Sequence, residues 1–544
     1  MRPLALVHAF ALVLALLLAL GLALLLAALG CSQLEIVGRV TADSEVPAIE
    51  AGPPPNPIDS GPVEGRTTLD DCEPGDASTF GAETIAALMS GGGEGALRLL
   101  YPYDGTVFPG GLQSPLLMWG GPAGDVVYVR MHSESFDYRG CFAPTAPGQL
   151  QFPQRAWDLA QTVTAGAAHP FVLELTVLTS GQVLGPVSER VVIAAGTFPG
   201  SVYYMTLGSK LGGAMTFGES SVVRLRPGKP LQLALGASGC SGCHSVSADG
   251  TRLVANASDM GASFTVSAAA GPTPLLDPTP GGEYAALVPD GALYLATAHP
   301  MGGGPRSYGA SASMTATLYE TATGNAVADA GIPTGATMPS FSPDGTRLVF
   351  NDPAIVAGNG LALMDFSESS RKASNYRTVF SDTSRYAGWP TFLPDGGAVV
   401  FSLGAGSDYS GAGTGLGVIT PGPATDLYLV DASSHTSMIL ARAMGFATPA
   451  DAASGTTYLP FGSGDLHQNF DPAVSPGTSG GYAWVLFDSR RNYGSTGLPR
   501  AIWCAALDVS PDGQYATDPS HPAFFLPGQE SATANFRPEP ALDP

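Results

Sequence analysis

Positive charge is scarce in this chain. Its 544 residues include 24 Lys and Arg against 46 Asp and Glu, which gives a formal net charge of −22 at pH 7. Nucleic acids and anionic lipid surfaces are bound by clusters of basic side chains, and the sequence contains no such cluster. The composition therefore argues against a nucleic-acid partner and predicts an acidic, soluble surface for the folded part.

Familiar catalytic fingerprints are missing as well. The sequence has no HExxH zinc motif, no phosphate-binding P-loop and no GxGxxG dinucleotide motif. Without a convincing catalytic constellation, a binding or carrier function is favoured over an enzyme.

Cysteine is also rare. The six cysteines are Cys31, Cys72, Cys141, Cys240, Cys243 and Cys504. In an oxidising compartment a disulfide can form, and Cys72 with Cys141 is the candidate pair. Cys504 lies in the apolar run AIWCAAL and is predicted to be a buried thiol.

Residues 1–30 differ from everything that follows. They form an apolar run after a basic start at Arg2, which predicts a secretory signal peptide. Ala28-Leu29-Gly30-Cys31 resembles a bacterial lipobox, which implies lipidation of Cys31 and a membrane anchor. An uncleaved anchor and simple secretion are the alternatives, and all three place the folded part outside the cytoplasm. Because Ser32 is not Asp, the outer membrane, periplasm or cell surface is favoured.

The middle of the chain predicts a tether followed by a β-sandwich. Residues 31–90 are rich in small, acidic and proline residues and predict a lipid-anchored disordered linker. Residues 91–200 contain short alternating apolar runs separated by turn residues. This segment resembles a fibronectin type III or immunoglobulin-like sandwich. Trp119 and Trp157 are then expected in its core.

A repeat dominates the remainder of the chain. Asp-Gly turns followed by apolar strands occur with Asp at positions 249, 290, 344, 395 and 512, and VSPGTSGGYAWVLF at 474 is a degenerate copy. Strand units of this length stack radially. The SPDG copies resemble TolB-like propellers, which implies a propeller of about six blades over residues 205–525 and a tail at 526–544. The overall prediction is an all-β protein.

The most specific motif is Cys240-Ser241-Gly242-Cys243-His244, which resembles the CxxCH attachment site of c-type haem. The resemblance implies haem c held by both thiols, with His244 as the iron ligand. Met338, which precedes a proline, is a candidate distal ligand, and Met260, Met301 and His299 are alternatives. A Cys240–Cys243 disulfide or another metal site is the competing interpretation of the motif.

Two functions follow from these patterns. The first is an exported lipoprotein whose propeller carries one haem for electron transfer or redox sensing, with a protein partner in the periplasm or at the cell surface. The second is a non-enzymatic propeller that binds protein or glycan. The segment DSRRNYG at 488–494 combines two arginines with a tyrosine, and we expect it to be a solvated loop.

Overall fold

A computed structural model gives the fold of the chain. The described residues are 65–72, 80–144, 146–212, 220–236, 243–257, 260–266, 272–281, 284–298, 314–404, 424–462, 466–497, 499–530 and 532–544. The predicted signal, Cys31 and Cys240 lie outside them. Glu64–Pro544 forms one compact unit. Among the described helices, none has the length and apolar character needed to cross a membrane.

The first part of this unit is a two-layer sandwich. Its strands are β1 Thr67–Asp71, β2 Arg98–Tyr101, β3 Thr106–Gly110, β4 Leu116–Gly120, β5 Val126–His132, β6 Phe136–Phe142, β7 Gln149–Gln151, β8 Phe171–Thr179 and β9 Gln182–Thr197. One sheet has the order β1-β6-β5-β8-β9-β3 and the other β2-β4-β7. Helix α1 is Ala82–Ser90 and helix α2 is Gln154–Val163. Trp119 and Trp157 are 3% and 1% exposed, in the expected core.

The sandwich begins earlier than the sequence indicated. β1 lies inside the predicted linker and pairs in parallel with β6. Cys72, directly after β1, forms a disulfide with Cys141 on β6, with an S–S distance of 2.13 Å. Ile85 and Leu88 of α1 pack in the same small cluster. The short strand TTLDD was not predicted because it has only one large apolar residue and takes its partner from β6.

The second part consists of six antiparallel sheets. The strands are β10 Ser201–Leu207, β11 Ser220–Leu225, β12 Gln232–Leu235, β13 Cys243–Val246, β14 Arg252–Ala257, β15 Met260–Thr265, β16 Thr273–Pro280, β17 Tyr284–Leu287, β18 Leu293–Ala298, β19 Thr315–Glu320, β20 Thr337–Phe341, β21 Arg347–Asn351, β22 Gly360–Ser367, β23 Lys372–Ser381, β24 Tyr386–Phe392, β25 Ala398–Gly404, β26 Thr425–Asp431, β27 Ser437–Ile439, β28 Asn469–Val474, β29 Tyr482–Ser489, β30 Ala501–Asp508, β31 Phe524–Phe525 and β32 Ala534–Ala541. Short helices α3 Ala441–Met444 and α4 Pro449–Ser454 precede β28.

These sheets are the blades of a propeller, numbered here from the N terminus. Blade 1 has the order β32-β10-β11-β12, blade 2 is β13–β16, blade 3 is β17–β19, blade 4 is β20–β23, blade 5 is β24–β27 and blade 6 is β28–β31. The inner strands β32, β13, β17, β20, β24 and β28 contact one another in sequence around a closed ring. The predicted all-β class, a sandwich followed by a propeller of about six blades, is confirmed.

The C-terminal segment closes the ring. β32 pairs with β10 and is the inner strand of blade 1, whereas the sequence indicated a tail over 526–544. An inner strand has a free edge on the channel, where the missing N–H of a proline removes no sheet hydrogen bond, so this strand tolerates Pro538 and Pro540. The propeller therefore runs from Ser201 in β10 to Ala541 in β32.

The Asp-Gly turns join inner strands to second strands in blades 2 to 5. In blade 2, Asp249 Oδ1 accepts hydrogen bonds from Ser247 Oγ at 2.6 Å and from the Thr251 N–H at 2.9 Å, and Gly250 has φ +73°. These carboxylates close their own turns. The copy at Asp512 differs, because it lies between β30 and β31, and the degenerate copy before β29 is the inner turn of blade 6.

Candidate functional site

The inner strands place one residue each at the same register. Counting six residues back from the inner turns of blades 2 to 6, at Asp249, Asp290, Asp344, Asp395 and Gly477, and from Asp543 after the inner strand of blade 1, gives Cys243, Tyr284, Met338, Trp389, Asp471 and Arg537. We call these six positions the mouth ring. They lie at the end of the channel opposite the Asp-Gly turns, where β13 begins at Cys243.

Trp389 of the mouth ring contacts the side chains of two other members, Tyr284 and Arg537. The rings of Tyr284 and Trp389 meet edge to face with centroids 5.4 Å apart. The guanidinium of Arg537 lies over Trp389, 4.1 Å from the ring centroid. The backbone N–H of Trp389 donates to Met338 Sδ at 3.4 Å. Blades 1, 3, 4 and 5 are thus in contact through their mouth-ring residues.

A cavity of about 120 Å³ lies in the channel, with lining residues from all six inner strands. Small-molecule sites usually measure roughly 300–1,000 Å³, so the cavity holds only a small group. Glu539 contributes the one carboxylate that lines it, and its Oε1 lies 3.9 Å from Arg537 Nη2. Burial, offset in part by Arg537, raises the pKa of Glu539 to about 7.

Next to the mouth ring lies a buried group of charges. Asp488 and Arg500 form an ion pair with side chains 0% and 1% exposed. Asp488 Oδ2 also accepts the backbone N–H of Arg537 at 3.2 Å. Asp471 is 3% exposed, and its carboxyl contacts that of Asp488. Burial raises the pKa of both aspartates, and two adjacent buried carboxyls are stable together when they share a proton.

Of the predicted haem-binding residues, the structure describes only some. Cys240 lies outside the described residues, and Cys243 is the first residue of β13. His244 is fully buried and pairs with Ala255 of β14. At the matching register of other blades, Ala285, Pro339, Pro390 and Pro472 line the channel. Position 244 is equivalent to these residues in register, but His244 itself is not among the residues that line the cavity.

Met338 is not brought next to His244. It is 2% exposed in β20 of blade 4, and blade 3 lies between its strand and β13. Its sulfur packs with Tyr284 and Met314. Within the described part of the chain, no group of three or more His, Cys, Asp or Glu is arranged to hold a metal ion.

The segment at 488–494 is not the solvated loop that the sequence indicated. Arg491 is 1% exposed and donates to Ala443 O at 2.8 Å and Asn469 Oδ1 at 2.6 Å. Its guanidinium lies between Phe487 and Trp503, 5.1 and 5.2 Å from their centroids. This buried cation links α3, the helix of Ala443, to blade 6.

Sequence reasoning missed Tyr284, Trp389, Asp471 and Arg537. A signal for them was present, because each lies six residues before an inner turn position. In three of the four, Trp389, Asp471 and Arg537, the next residue is proline, as it is after Met338. Aligning the repeats on their turns would have brought these positions into one column with Cys243.

The sheets and the channel define a class: an all-β protein in which a β-sandwich precedes a six-bladed β-propeller. No known family model matches the chain, and no curated protein matches it in sequence. Among solved structures, it is similar to TolB from Acinetobacter baumannii, with 13% identity, 81% of this chain and 98% of that chain covered, and a TM-score of 0.39.

Two further solved structures are similar to this chain at comparably low sequence identity. A putative TolB from Agrobacterium tumefaciens has 12% identity, with 62% of this chain and 98% of that chain covered and a TM-score of 0.32. Kuenenia stuttgartiensis hydrazine synthase has 11% identity, with 54% and 70% covered and a TM-score of 0.32. Because these TM-scores are below 0.5, the blade count rests on the chain's own sheets and no functional residue is transferred.

Proposed function

We propose that this protein is an exported propeller that carries one c-type haem at the mouth of its channel and serves electron transfer or redox sensing. The observation that carries the proposal is the register of the CxxCH motif. Cys243 occupies the blade 2 position of the mouth ring, and His244 follows it in the inner strand β13. Since these two residues of the motif belong to a propeller strand, the proposal requires no separate cytochrome domain.

The chemistry of these residues suits the group. Two thiols spaced by two residues anchor the porphyrin, and a neutral imidazole is a good iron ligand. The imidazole of His244 is buried, so as an iron ligand it would be shielded from water. When bound, haem supplies one-electron redox chemistry. The channel cavity of about 120 Å³ is too small for a porphyrin, so a haem held by Cys240 and Cys243 would lie outside it. A distal ligand from Met338 requires its sulfur to leave the Trp389 N–H.

The test is expression with the haem-maturation machinery, followed by covalent haem staining and Soret spectroscopy. The wild-type protein should be coloured and should keep its haem after denaturation. Cys240→Ser and Cys243→Ser should weaken attachment, and His244→Ala should change the spectrum while some covalent haem remains. Cys504→Ser is the matched control, because this fully buried thiol lies in β30 of blade 6. A colourless wild-type protein with a Cys240–Cys243 disulfide refutes the proposal.

We also propose that the protein is lipid-anchored in the cell envelope through Cys31, on the outer membrane or cell surface. The Cys72–Cys141 disulfide supports an oxidising compartment. The apolar run before Cys31 supports export. Cys31→Ser should abolish acyl labelling and release the protein from membranes. Labelled lipid on that variant would show that the anchor is elsewhere.

A binding propeller without haem is the second candidate, and the mouth ring favours it specifically. Trp389 lines the channel, and its buried Nε1 donor has no hydrogen-bond partner among the described residues. An indole donor beside aromatic surface is suited to a peptide or glycan. The two candidates differ in one result, because the second predicts a colourless protein in which Trp389→Leu abolishes capture of the partner.

A further inference from the structure

The channel cavity reaches from the mouth ring to the inner turns. At one end it is lined by mouth-ring residues, where Trp389 contacts both Tyr284 and Arg537. At the other end it is lined by residues that directly precede the inner turns, among them Pro289 and Pro343, which are both partly exposed. The mouth-ring side chains therefore cover one end, and the end at the Asp-Gly turns is the open side for a small solute.

Glu539 presents a carboxyl group to this cavity without a hydrogen-bond partner. Its side chain is 26% exposed, so a solute in the channel can reach it. Within the described part of the chain, no group donates a hydrogen bond to this carboxyl, and the ion-pair contact to Arg537 Nη2 is 3.9 Å long. Burial raises the pKa of Glu539 to about 7, an effect that Arg537 opposes and Asp471 increases. A carboxylate that its neighbours compensate only in part is suited to a cationic donor.

The other polar groups of the cavity wall supply hydrogen-bond donors. The guanidinium of Arg537 lines the cavity, and Arg537 precedes Glu539 by two residues in β32. Ser245 and Thr391 lie at the same register as Glu539 in blades 2 and 5, two residues beyond the mouth ring. Each hydroxyl oxygen accepts a backbone N–H of the following blade at 3.3 Å, which leaves the hydroxyl proton for another acceptor. A guanidinium with two hydroxyl groups is suited to a carboxylate.

Size and charge together define the class of ligand. A cavity of about 150 Å³ accommodates benzene, so the channel cavity of about 120 Å³ fits a ligand slightly smaller than benzene. The wall carries one guanidinium and one carboxyl group. A buried charge is stabilised when it is paired, so a ligand with one group of each sign and no net charge complements this wall. Glycine and alanine have both groups within this size.

We infer that the channel binds a small zwitterionic amino acid, with its ammonium group on Glu539 and its carboxylate on Arg537. The hydroxyl groups of Ser245 and Thr391 donate to the same carboxylate. The inference does not depend on the haem, because none of these residues belongs to the CxxCH motif. Such a site gives the propeller a solute-binding function that is separate from electron transfer.

Isothermal titration calorimetry of the purified protein with glycine, methylammonium and acetate tests the inference. Glycine should bind saturably at one site per chain. Methylammonium and acetate each carry only one of the two charges and should bind about tenfold more weakly or worse. Glu539→Gln should weaken glycine binding by about tenfold or more, because an amide does not compensate an ammonium group. Ala473→Leu places a larger side chain in the cavity without changing a charge and should abolish binding.

Glu320→Gln is the matched control. Glu320 also pairs with an arginine, Arg371, and its side chain is 27% exposed, but it is not among the residues that line the cavity. Loss of glycine binding in Glu539→Gln with wild-type affinity in Glu320→Gln supports the inference. It is overturned if the wild-type protein shows no saturable binding of glycine, or if Glu539→Gln binds glycine as tightly as the wild type. Methylammonium binding equal to that of glycine would also overturn it, because Arg537 would then contribute nothing. Thermal unfolding of each variant identifies any that failed to fold.

Discussion

Replacing Arg500 by leucine tests whether the buried ion pair of blade 6 holds the ring closed. The Arg500 guanidinium is the ionic partner of Asp488 and lies over Phe470 and Phe536, 4.1 and 4.9 Å from their centroids. Leucine keeps apolar contact with these rings but removes the charge. Asp488 is then left buried beside Asp471, with no cation of its own.

The size of the effect follows from burial. Removing one partner of a buried ion pair costs about 3–5 kcal/mol, because the other charge stays desolvated. Arg500→Leu should therefore lower the free energy of unfolding by about that amount at neutral pH. Protonation of Asp488 relieves the penalty, so the loss should be smaller at pH 5 than at pH 8. The double change Arg500→Leu with Asp488→Leu should recover most of the loss.

Urea unfolding, followed by tryptophan fluorescence, measures these differences as midpoint shifts at unchanged slope. Arg190→Leu is the matched control. Arg190 pairs with Asp104 at 2.7 Å, but their side chains are 67% and 44% exposed. An exposed pair contributes about 0–1 kcal/mol. If Arg500→Leu costs no more than Arg190→Leu, the pair does not stabilise the closed ring and the reasoning is wrong.

Three further predictions concern the channel, the sandwich and the closing strand. The pKa of Glu539, raised from 4.5 to about 7, makes stability fall as pH rises through that window, and Glu539→Gln should remove this part of a pH–stability profile. Loss of the Cys72–Cys141 disulfide in a double serine variant should cost about 2–5 kcal/mol, measured by urea unfolding with and without reductant. Gly200→Ala should lower the thermal midpoint, because its new Cβ would lie 2.0 Å from Ala541 O on β32; an unchanged midpoint would contradict this contact.

The propeller was predictable because its signals are local. An Asp-Gly turn needs only its own few residues, and the turns of Asp249 and Asp344 have the hydrogen bonds that their sequence predicts. The strand β32 was not predictable in the same way. Its segment ANFRPEPA forms a strand because it pairs with β10, which lies more than 300 positions earlier in the chain. The free edge on the channel side tolerates its prolines.

The candidate site was only partly predictable. The CxxCH motif is recognisable in the sequence alone. That Cys243 belongs to the mouth ring is apparent only when its position is compared with the equivalent positions of the other five blades. Asp488 and Arg491 were expected in solvent because charged residues in a turn-like segment usually lie there. Their burial depends on tertiary partners, Arg500 for the aspartate and the Ala443 and Asn469 oxygens for the arginine.

The closing strand makes completion of the molecule depend on its last residues. β10, near the start of the propeller, gains its inner neighbour only from Ala534–Ala541, and Asp543 then pairs with Arg224 of β11 at 2.8 Å. A chain that stops short leaves β10 as an unpaired edge, open to proteases and to aggregation. Closure of the ring therefore requires that the β32 segment be present.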